Sequence, residues 1–571
     1  MSLELIVYFL FVHLVLLIPG YVIVRSTKLL AGKQELELCL AYVTSITLLA
    51  AGATVGYLLE VDWVIIKYLA WVGIALSAVI FIRSRYYRNL LAFGLPIACA
   101  VALSLLSTLL LSLTFSANQI FIPDPEAQPE RNYNVLNVKV LNVTHTNAND
   151  NYVPYRQAQF FINRSDPAKD SFIDEWGVHF FQRTPLMGAV TASYFNLLGD
   201  RPPVDYLWSI HAKDPGNTYA KFQIIAHVLN SILVIPGYFL LRRLFNRKVA
   251  TVSCLFIVIS PFFIYNSIFS WPKSLVAFLV ITFWLFLMER GLKFIVLAGA
   301  IAGIAYLAHD LAVLYIGAGL VFLLIRRRFR DSVVFGGISA LFSIPWLITS
   351  ALIFKKPSTF ALYPFSTEGL PQPDQGREVL SKFLQTSPLD IVSIRIDTLF
   401  YLLSPYDMIY STGGQPIDRR LWATGIFSIP GSVGAGLFIP ALAGVIQQFR
   451  KFRYWSLIVI PILLAVIIIG WRFPRSLGSL HFAQPLIVVL VGFAIAWLME
   501  LKRKKLWIAA AYLISVSQLI FFLLFSYEYK FNGWLTDPVD MIALTLAAFI
   551  VLTAGWSAVR VTQDKPLFGI R

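Results

Sequence analysis

The sequence predicts a polytopic α-helical membrane protein, and three observations carry that prediction. First, 58% of the 571 residues are hydrophobic and 15% are aromatic, with a mean hydropathy of +0.71, whereas a soluble domain holds about 45–50% apolar residues. Second, apolar runs near the roughly 20 residues needed to cross a bilayer recur along the whole chain. Third, the net charge of +16 is carried by short basic clusters between those runs. That is the positive-inside pattern of membrane proteins, and it argues against nucleic acid as a partner. Cys39, Cys99 and Cys254 all fall inside apolar runs, so they read as small buried hydrophobes with no disulfide framework. The first apolar run lacks a basic leader and is long enough to stay as a helix, so no cleavable signal is expected.

The spans follow in order. The first is 3–24, and its internal Pro19–Gly20 step requires neighbouring helices to satisfy the backbone it frees. Arg25, Lys28 and Lys33 come next. Spans 38–59 and 63–82 are joined by a turn holding Glu60 and Asp62, and Arg83, Arg85 and Arg88 precede span 90–115. With the basic clusters in the cytoplasm, the N-terminus and the polar insert 117–217 lie outside. Spans 222–241, 250–268, 274–288, 294–308, 311–325 and 333–354 follow. Their clusters Arg242/Arg243/Arg247/Lys248, Arg290/Lys293 and Arg326/Arg327/Arg328/Arg330 keep the same parity. A second outer segment, 355–425, leads to spans 426–446, 454–471, 479–499, 506–525 and 541–559. Arg450/Lys451/Arg453, Lys502/Arg503/Lys504/Lys505 and the tail from Arg560 again fall inside. The expectation is roughly 13–15 transmembrane helices in the cytoplasmic membrane, several of them short, with the C-terminus in the cytoplasm. The chain thus divides into helices in 1–116, an outer insert in 117–217, helices in 218–354, an outer loop in 355–425 and helices in 426–571.

The insert is the one extended stretch with the composition of a water-facing domain. Residues 133–143 alternate apolar and polar, a strand signal. A helix is expected over 155–162, after Pro154, and another over 187–198, ended by Gly199-Asp200 and Pro202-Pro203. The insert therefore reads as a small mixed α/β cap on the outer face. In the second outer segment, 389–403 has the spacing of an amphipathic helix lying on the bilayer surface.

Three constellations could carry chemistry. The outer acids are Asp124 and Glu126 in P-D-P-E, Asp150 in N-D-N-Y-V-P-Y-R, and Asp174 and Glu175 before Trp176. Deprotonating a hydroxyl needs one carboxylate within hydrogen-bond reach. Asp150 is the first choice, because Asn-Asp-Asn ahead of Tyr, Pro and Arg is a turn that fixes a carboxylate. Asp124, nearest the membrane boundary, is the second. The bland alternative for any of these acids is loop solvation. The second constellation is cationic: Arg156, Arg183, Lys273, Arg472 and Arg475 depart from the cytoplasmic clusters, and His481 lies close to the arginine pair. Cations at headgroup depth hold a lipid-linked phosphate through charge-assisted bonds; the bland alternative is interface anchoring. The third is His309 beside Asp310 at a turn between helices. Metal binding is open to His145, His179, His309 and His481, but they share no recurring ligand spacing, so no cofactor is expected, a divalent metal being the alternative.

Several stretches resemble the GT-C superfamily of integral-membrane glycosyltransferases. Arg183-Thr-Pro-Leu186 is similar to the family's [H/R/K]-P-[PL] element after its acidic loop. The run 241–260 with Pro261 is similar to its basic turn, small-residue helix and S/T-P step. Residues 268–274 (I-F-S-W-P-K-S) and 303–309 resemble an uncharacterised bacterial GT-C-like subgroup. The resemblance covers 90–354 and departs in one respect: the family's adjacent acidic pair reads D-P-E here, which keeps both Asp124 and Asp150 open as the base. The resemblance implies a polyprenyl-phosphate-sugar donor and a glycan, lipid or protein acceptor. It also implies one inverting displacement with an Asp as general base, Glu126 being a further acidic candidate. Arg183, Arg472 and Arg475, with Lys273 and His309, would stabilise the leaving phosphate. Arg156, Tyr152, Tyr155, Asp174, Glu175, Trp176 and His481 would face sugar or acceptor. The alternatives are a ligase or polymerase using a pyrophosphate-linked donor, and a transporter or flippase of lipid-linked oligosaccharide, which would need ionic residues along its path.

Overall fold

In the computed structural model, α1 (Leu3–Thr27) and α2 (Gln34–Leu58) pack as an antiparallel pair. The structure describes residues 3–112, 117–123, 133–139, 148–165, 183–202, 218–353, 359–367, 375–403, 429–448, 455–468, 483–526 and 538–562. The Pro19–Gly20 step is met as the sequence requires: Gly20 N–H donates to Ser45 Oγ of α2 at 2.9 Å. Close backbone approach explains the glycine, since a Cβ there would strike the Ala41 carbonyl.

Next come α3 (Trp63–Arg83), the short α4 (Tyr87–Leu91) and α5 (Gly94–Ser112). The central array runs α8 (Thr218–Ser231), α9 (Val234–Leu244), α10 (Arg247–Ile259), α11 (Pro261–Ile268), α12 (Lys273–Leu287), α13 (Leu292–Ala308), α14 (Ala312–Ile325) and α15 (Phe329–Ile348). Asn246 caps α10 by accepting the Val249 N–H at 3.0 Å. Pro261 opens α11 and, lacking an N–H to continue the ladder, bends it 59° from α10. The α13–α15 contact is built on Gly299 and Gly303, which lie against the Phe335 and Ser339 carbonyls, and Ser339 Oγ donates to Gly299 O at 3.2 Å. This is small-residue packing as membrane helices use it, where burying apolar area gains nothing over lipid. Later helices are α16 (Gly376–Gln385), α17 (Pro388–Leu403), α18 (Ile429–Val433), α19 (Phe438–Gln448), α20 (Val459–Ile468), α21 (Ala483–Glu500), α22 (Lys504–Ser526) and α23 (Pro538–Val561).

Among the described residues, eight helices are long and apolar enough to cross a membrane, or nine with the bent α10–α11 pair. Shorter apolar helices occupy the remaining stretches read as spans. The polytopic reading holds, and the lengths show why a span count from hydropathy is loose: several helices are only 10–17 residues long. α17 fills the segment read as amphipathic, with Leu389, Val392, Ile396 and Phe400 exposed.

The small α/β cap is not supported. The described part of the insert contains one hairpin, β1 (Ala117–Pro123) paired antiparallel with β2 (Tyr133–Lys139), and two helices that are built into the helical body. These are α6 (Ala148–Asn163) and α7 (Leu186–Leu198). α6 starts ahead of the expected position and keeps Pro154 inside it; that proline cannot bond to the carbonyl four residues back, at Asp150. α7 is buried on every face over residues 186–197. Tyr194 Oη donates to Val12 O at 3.0 Å, Asn196 Nδ2 to Trp63 O at 3.0 Å, and Trp71 Nε1 to Leu197 O at 2.9 Å. It ends on Gly199 at φ +77°, with Asp200 N–H bonded back to Phe195 O at 2.9 Å, a Schellman stop.

These bonds sort the helix ends. The start of α1, end of α2, start of α3 and start of α8 meet the insert. The opposite ends meet one another through basic and acidic residues: Arg25 pairs with Glu37 and Arg242 with Glu35, while Glu289 holds Lys33 at 3.0 Å and Arg243 at 2.8 Å.

Candidate functional site

On the insert side, Arg183, Lys273 and His309 lie about the turn that carries Phe269 and Trp271; this side is called the mouth below. Arg183 lies three residues before the start of α7. Gln157 of α6 fixes the backbone there, donating through Nε2 to Arg183 O at 3.4 Å and Thr184 O at 3.3 Å. Gly188 is needed at the same contact, because a Cβ would run into the Gln157 side chain. The Arg183 guanidinium lies over the Trp271 ring, 5.7 Å from its centroid. The other edge of the cluster is His309, whose ring meets Trp271 at 5.9 Å in a T-shaped contact.

His309 Nδ1 stands 2.8 Å from Asp310 Oδ1. The Leu311 N–H also points at Nδ1, 3.1 Å away. One nitrogen cannot donate and accept at once, and a carboxylate at 2.8 Å calls for the proton on Nδ1. Burial alone would raise the Asp310 carboxyl. The charges of His309 and Arg183, with the Leu311 N–H, outweigh it and hold the group below the ordinary carboxylate range. Asp310 is thus the anion that orients this corner.

Lys273 is the first residue of α12, which starts after the Trp271-Pro272 turn. Its Nζ lies 4.3 Å from the centre of the Phe269 ring, and the residue is 4% exposed. A cation at a helix N-terminus opposes the helix dipole, and the ammonium and the dipole both favour an anion there.

The α6 side of the mouth carries Tyr155 and Arg156. Tyr155 Oη shares a 2.6 Å hydrogen bond with Thr218 Oγ1, and its ring packs on Tyr219 and Phe222. This side chain is fully buried, which removes it as a sugar platform in this state. Arg156 is buried too and donates to Gln159 Oε1 at 3.3 Å. Asp150 and Tyr152 belong to the first turns of α6, and the description reaches only their backbone. Asp124, Glu126, His145, Asp174, Glu175, Trp176, His179, Arg472, Arg475 and His481 lie outside the described residues.

The structure therefore brings together Arg183, Lys273 and His309 with two aromatic side chains, Trp271 and Phe269. Sequence reasoning missed Trp271 as the shared surface. Its signal was the Trp-Pro-Lys step itself, an aromatic at the mouth of a helix that begins with a cation. It also missed the ion pair at the far end of α7, where Lys221 Nζ bonds Asp200 Oδ1 at 2.6 Å and Glu4 Oε1 at 2.9 Å. These three residues are remote in sequence, so no spacing rule finds them. Among the described residues no group of three metal-ligating side chains occurs.

Residues 200–349, the segment that supplies Trp271, Lys273, His309 and Asp310, match the family model described as dolichyl-phosphate-mannose-protein mannosyltransferase. No curated protein matches the chain. Among solved structures, an Archaeoglobus fulgidus oligosaccharyltransferase complexed with zinc and sulfate is similar at 14% identity and a TM-score of 0.41. That likeness covers 79% of this chain, which spans 57% of the oligosaccharyltransferase. ArnT from Cupriavidus metallidurans, solved bound to undecaprenyl phosphate, is similar at 15% identity and a TM-score of 0.37, covering 83% of this chain and 78% of its own. The chain is thus a polytopic membrane protein whose residues 200–349 are similar to the dolichyl-phosphate-mannose-protein mannosyltransferase family.

Proposed function

We propose that the protein is a membrane glycosyltransferase that takes a sugar from a polyprenyl-phosphate donor and passes it to a hydroxyl of a glycan, lipid or protein acceptor. The observation that carries this reading is the mouth in which Arg183 and Lys273 lie over Trp271 and Phe269 beside His309. Ring faces orient a cation and fix where its charge points. Burial strengthens its attraction to a phosphate, because the local dielectric is low. The family described over 200–349 acts from a dolichyl-phosphate sugar by its printed name, which supports the same donor class here.

The chemistry is a single displacement. The acceptor hydroxyl loses its proton to a carboxylate as its oxygen attacks the anomeric carbon. The bond to the phosphate oxygen breaks, and the lipid phosphate leaves with the electron pair, inverting the anomeric centre. Asp150, at the start of α6, is the leading base, and Asp124, directly after β1, is the second. Arg183 and Lys273 stabilise the phosphate as charge grows on it. Arg472 and Arg475, from the segment between α20 and α21, are proposed to join them, and His481 to act beside them. The insert side is taken as the outer face of a cytoplasmic membrane, since the opposite ends carry the basic clusters.

The test is turnover by the purified full-length chain in nanodiscs, with polyprenyl-monophosphate and polyprenyl-pyrophosphate sugars offered in parallel. Transfer from the monophosphate donor, lost in Asp150→Asn or Asp124→Asn while donor binding persists, is the expected result. Transfer only from the pyrophosphate donor would reassign the protein as a ligase or polymerase. Movement of lipid-linked glycan across the bilayer without bond cleavage would make it a transporter.

A further inference from the structure

We infer that Asn230 is a positioning residue for the phosphate-facing cation Lys273, acting as the cap of α12 from the neighbouring helix α8. This inference rests on the lipid-phosphate reading above. Asn230 is fully buried, and its amide reaches across to the turn between α11 and α12. Nδ2 donates to Trp271 O at 3.0 Å and to Phe269 O at 3.4 Å. Oδ1 accepts the Leu275 N–H at 3.1 Å. One side chain thus grips both ends of the short segment that carries Phe269, Trp271 and Lys273.

The turn needs that grip. It is built from two consecutive bonds that each close over two residues: Trp271 N–H to Phe269 O at 2.7 Å, and Lys273 N–H to Trp271 O at 2.8 Å. Such tight turns bring carbonyls close together, and Asn230 binds the same two carbonyls from the other side. Leu275 is the third residue of α12, so its N–H has no partner within the helix. Pro272, just before the helix, provides no side-chain cap. Asn230 supplies the missing acceptor from outside the helix. It has to be a carboxamide, because the site asks for a donor toward two carbonyls and an acceptor toward an N–H at once. Asp would keep the acceptor and turn both donor bonds into repulsion. Ala would remove the acceptor for the Leu275 N–H and the second donor to both carbonyls.

If Asn230 works through Lys273, its loss is felt as misplacement of the ammonium, and the two residues are energetically coupled. The experiment is a double-mutant cycle on the full chain in detergent, with undecaprenyl phosphate as the probe and Kd as the readout, alongside the melting temperature. Lys273→Met is expected to weaken binding about tenfold, as loss of a charge-assisted bond does. Asn230→Ala should weaken it about fivefold, yet change it less than about twofold when Lys273→Met is already present. Asn230→Asp covers the case in which Asn230→Ala does not fold: the Leu275 N–H keeps its acceptor, and Kd is expected to rise by a similar factor. Asn230 variants that bind normally, or losses that multiply with Lys273→Met, would overturn the inference and leave the phosphate site intact. Normal binding by Lys273→Met would instead remove the phosphate-site reading on which the inference stands.

Discussion

The two ends of the helical body handle positive charge differently. At the end away from the insert, cations meet carboxylates: Arg25 with Glu37, Arg242 with Glu35, and Lys33 and Arg243 with Glu289. Backbone carbonyls complete the set, with Arg243 Nη1 donating to Leu285 O at 3.2 Å and Arg328 Nη1 to Leu287 O at 3.3 Å. At the insert-side mouth, Arg183 and Lys273 lie over ring faces, and Asp310 is shared between His309 and the field of Arg183. A carboxylate neutralises its cation and locks helix ends together. A ring face orients the cation through its quadrupole. The first end holds the helices together, and under the proposed function the second receives the donor phosphate.

The comparison breaks most sharply at the carboxylate. Asp150→Asn should lower turnover about a thousandfold, the scale of a lost general base, with undecaprenyl-phosphate affinity unchanged. Equal activity in that variant would shift the role to Asp124, which the same assay tests. At the opposite end, Glu37→Ala strands Arg25 and should cost about 3 kcal/mol of stability in an unfolding titration, because Glu37 is 2% exposed. Its donor affinity should not move; a large change in affinity would mean the ends are not separate in function. At the mouth the expectation is reversed. Arg183→Met should raise the Kd for undecaprenyl phosphate about tenfold, near 1.4 kcal/mol, with little change in the unfolding midpoint. The smallest effect belongs to an exposed pair in neither region. Lys382→Gln, which removes the contact of Lys382 with Glu378 on α16, should change stability by about 0.3 kcal/mol and leave binding alone.

Much of the fold was legible because bilayers impose a simple length and polarity rule. Each predicted span holds an apolar helix, and at the Pro19–Gly20 step a neighbouring helix does meet the backbone, with Ser45 Oγ accepting the Gly20 N–H. The insert was not legible in the same way. α7 is 13 residues long, too short to read as a span and set within polar sequence, yet it is buried all round. Its burial is decided by α1, α2 and α3, none of which is local to it. The start of α6 was hidden by Pro154, which reads as a helix opener but sits inside. In the site, Arg183, Lys273 and His309 were found because charge at an outer boundary is conspicuous. Asn230 was not, since a single Asn in an apolar run carries no sign of which backbone it will cap. The Lys221–Asp200–Glu4 cluster shows the same limit: its members come from α8, the end of α7 and the first turn of α1.

The most direct measurement is a structure of the full chain in lipid with undecaprenyl phosphate bound. The account predicts the phosphate at the insert-side mouth, within about 3 Å of Lys273 Nζ and the Arg183 guanidinium, with a carboxylate from the start of α6 or the residue after β1 facing the same cavity. A phosphate lodged among Arg242, Arg243 and Arg328 at the opposite end, or a mouth whose nearest acids all turn away from it, would contradict the account.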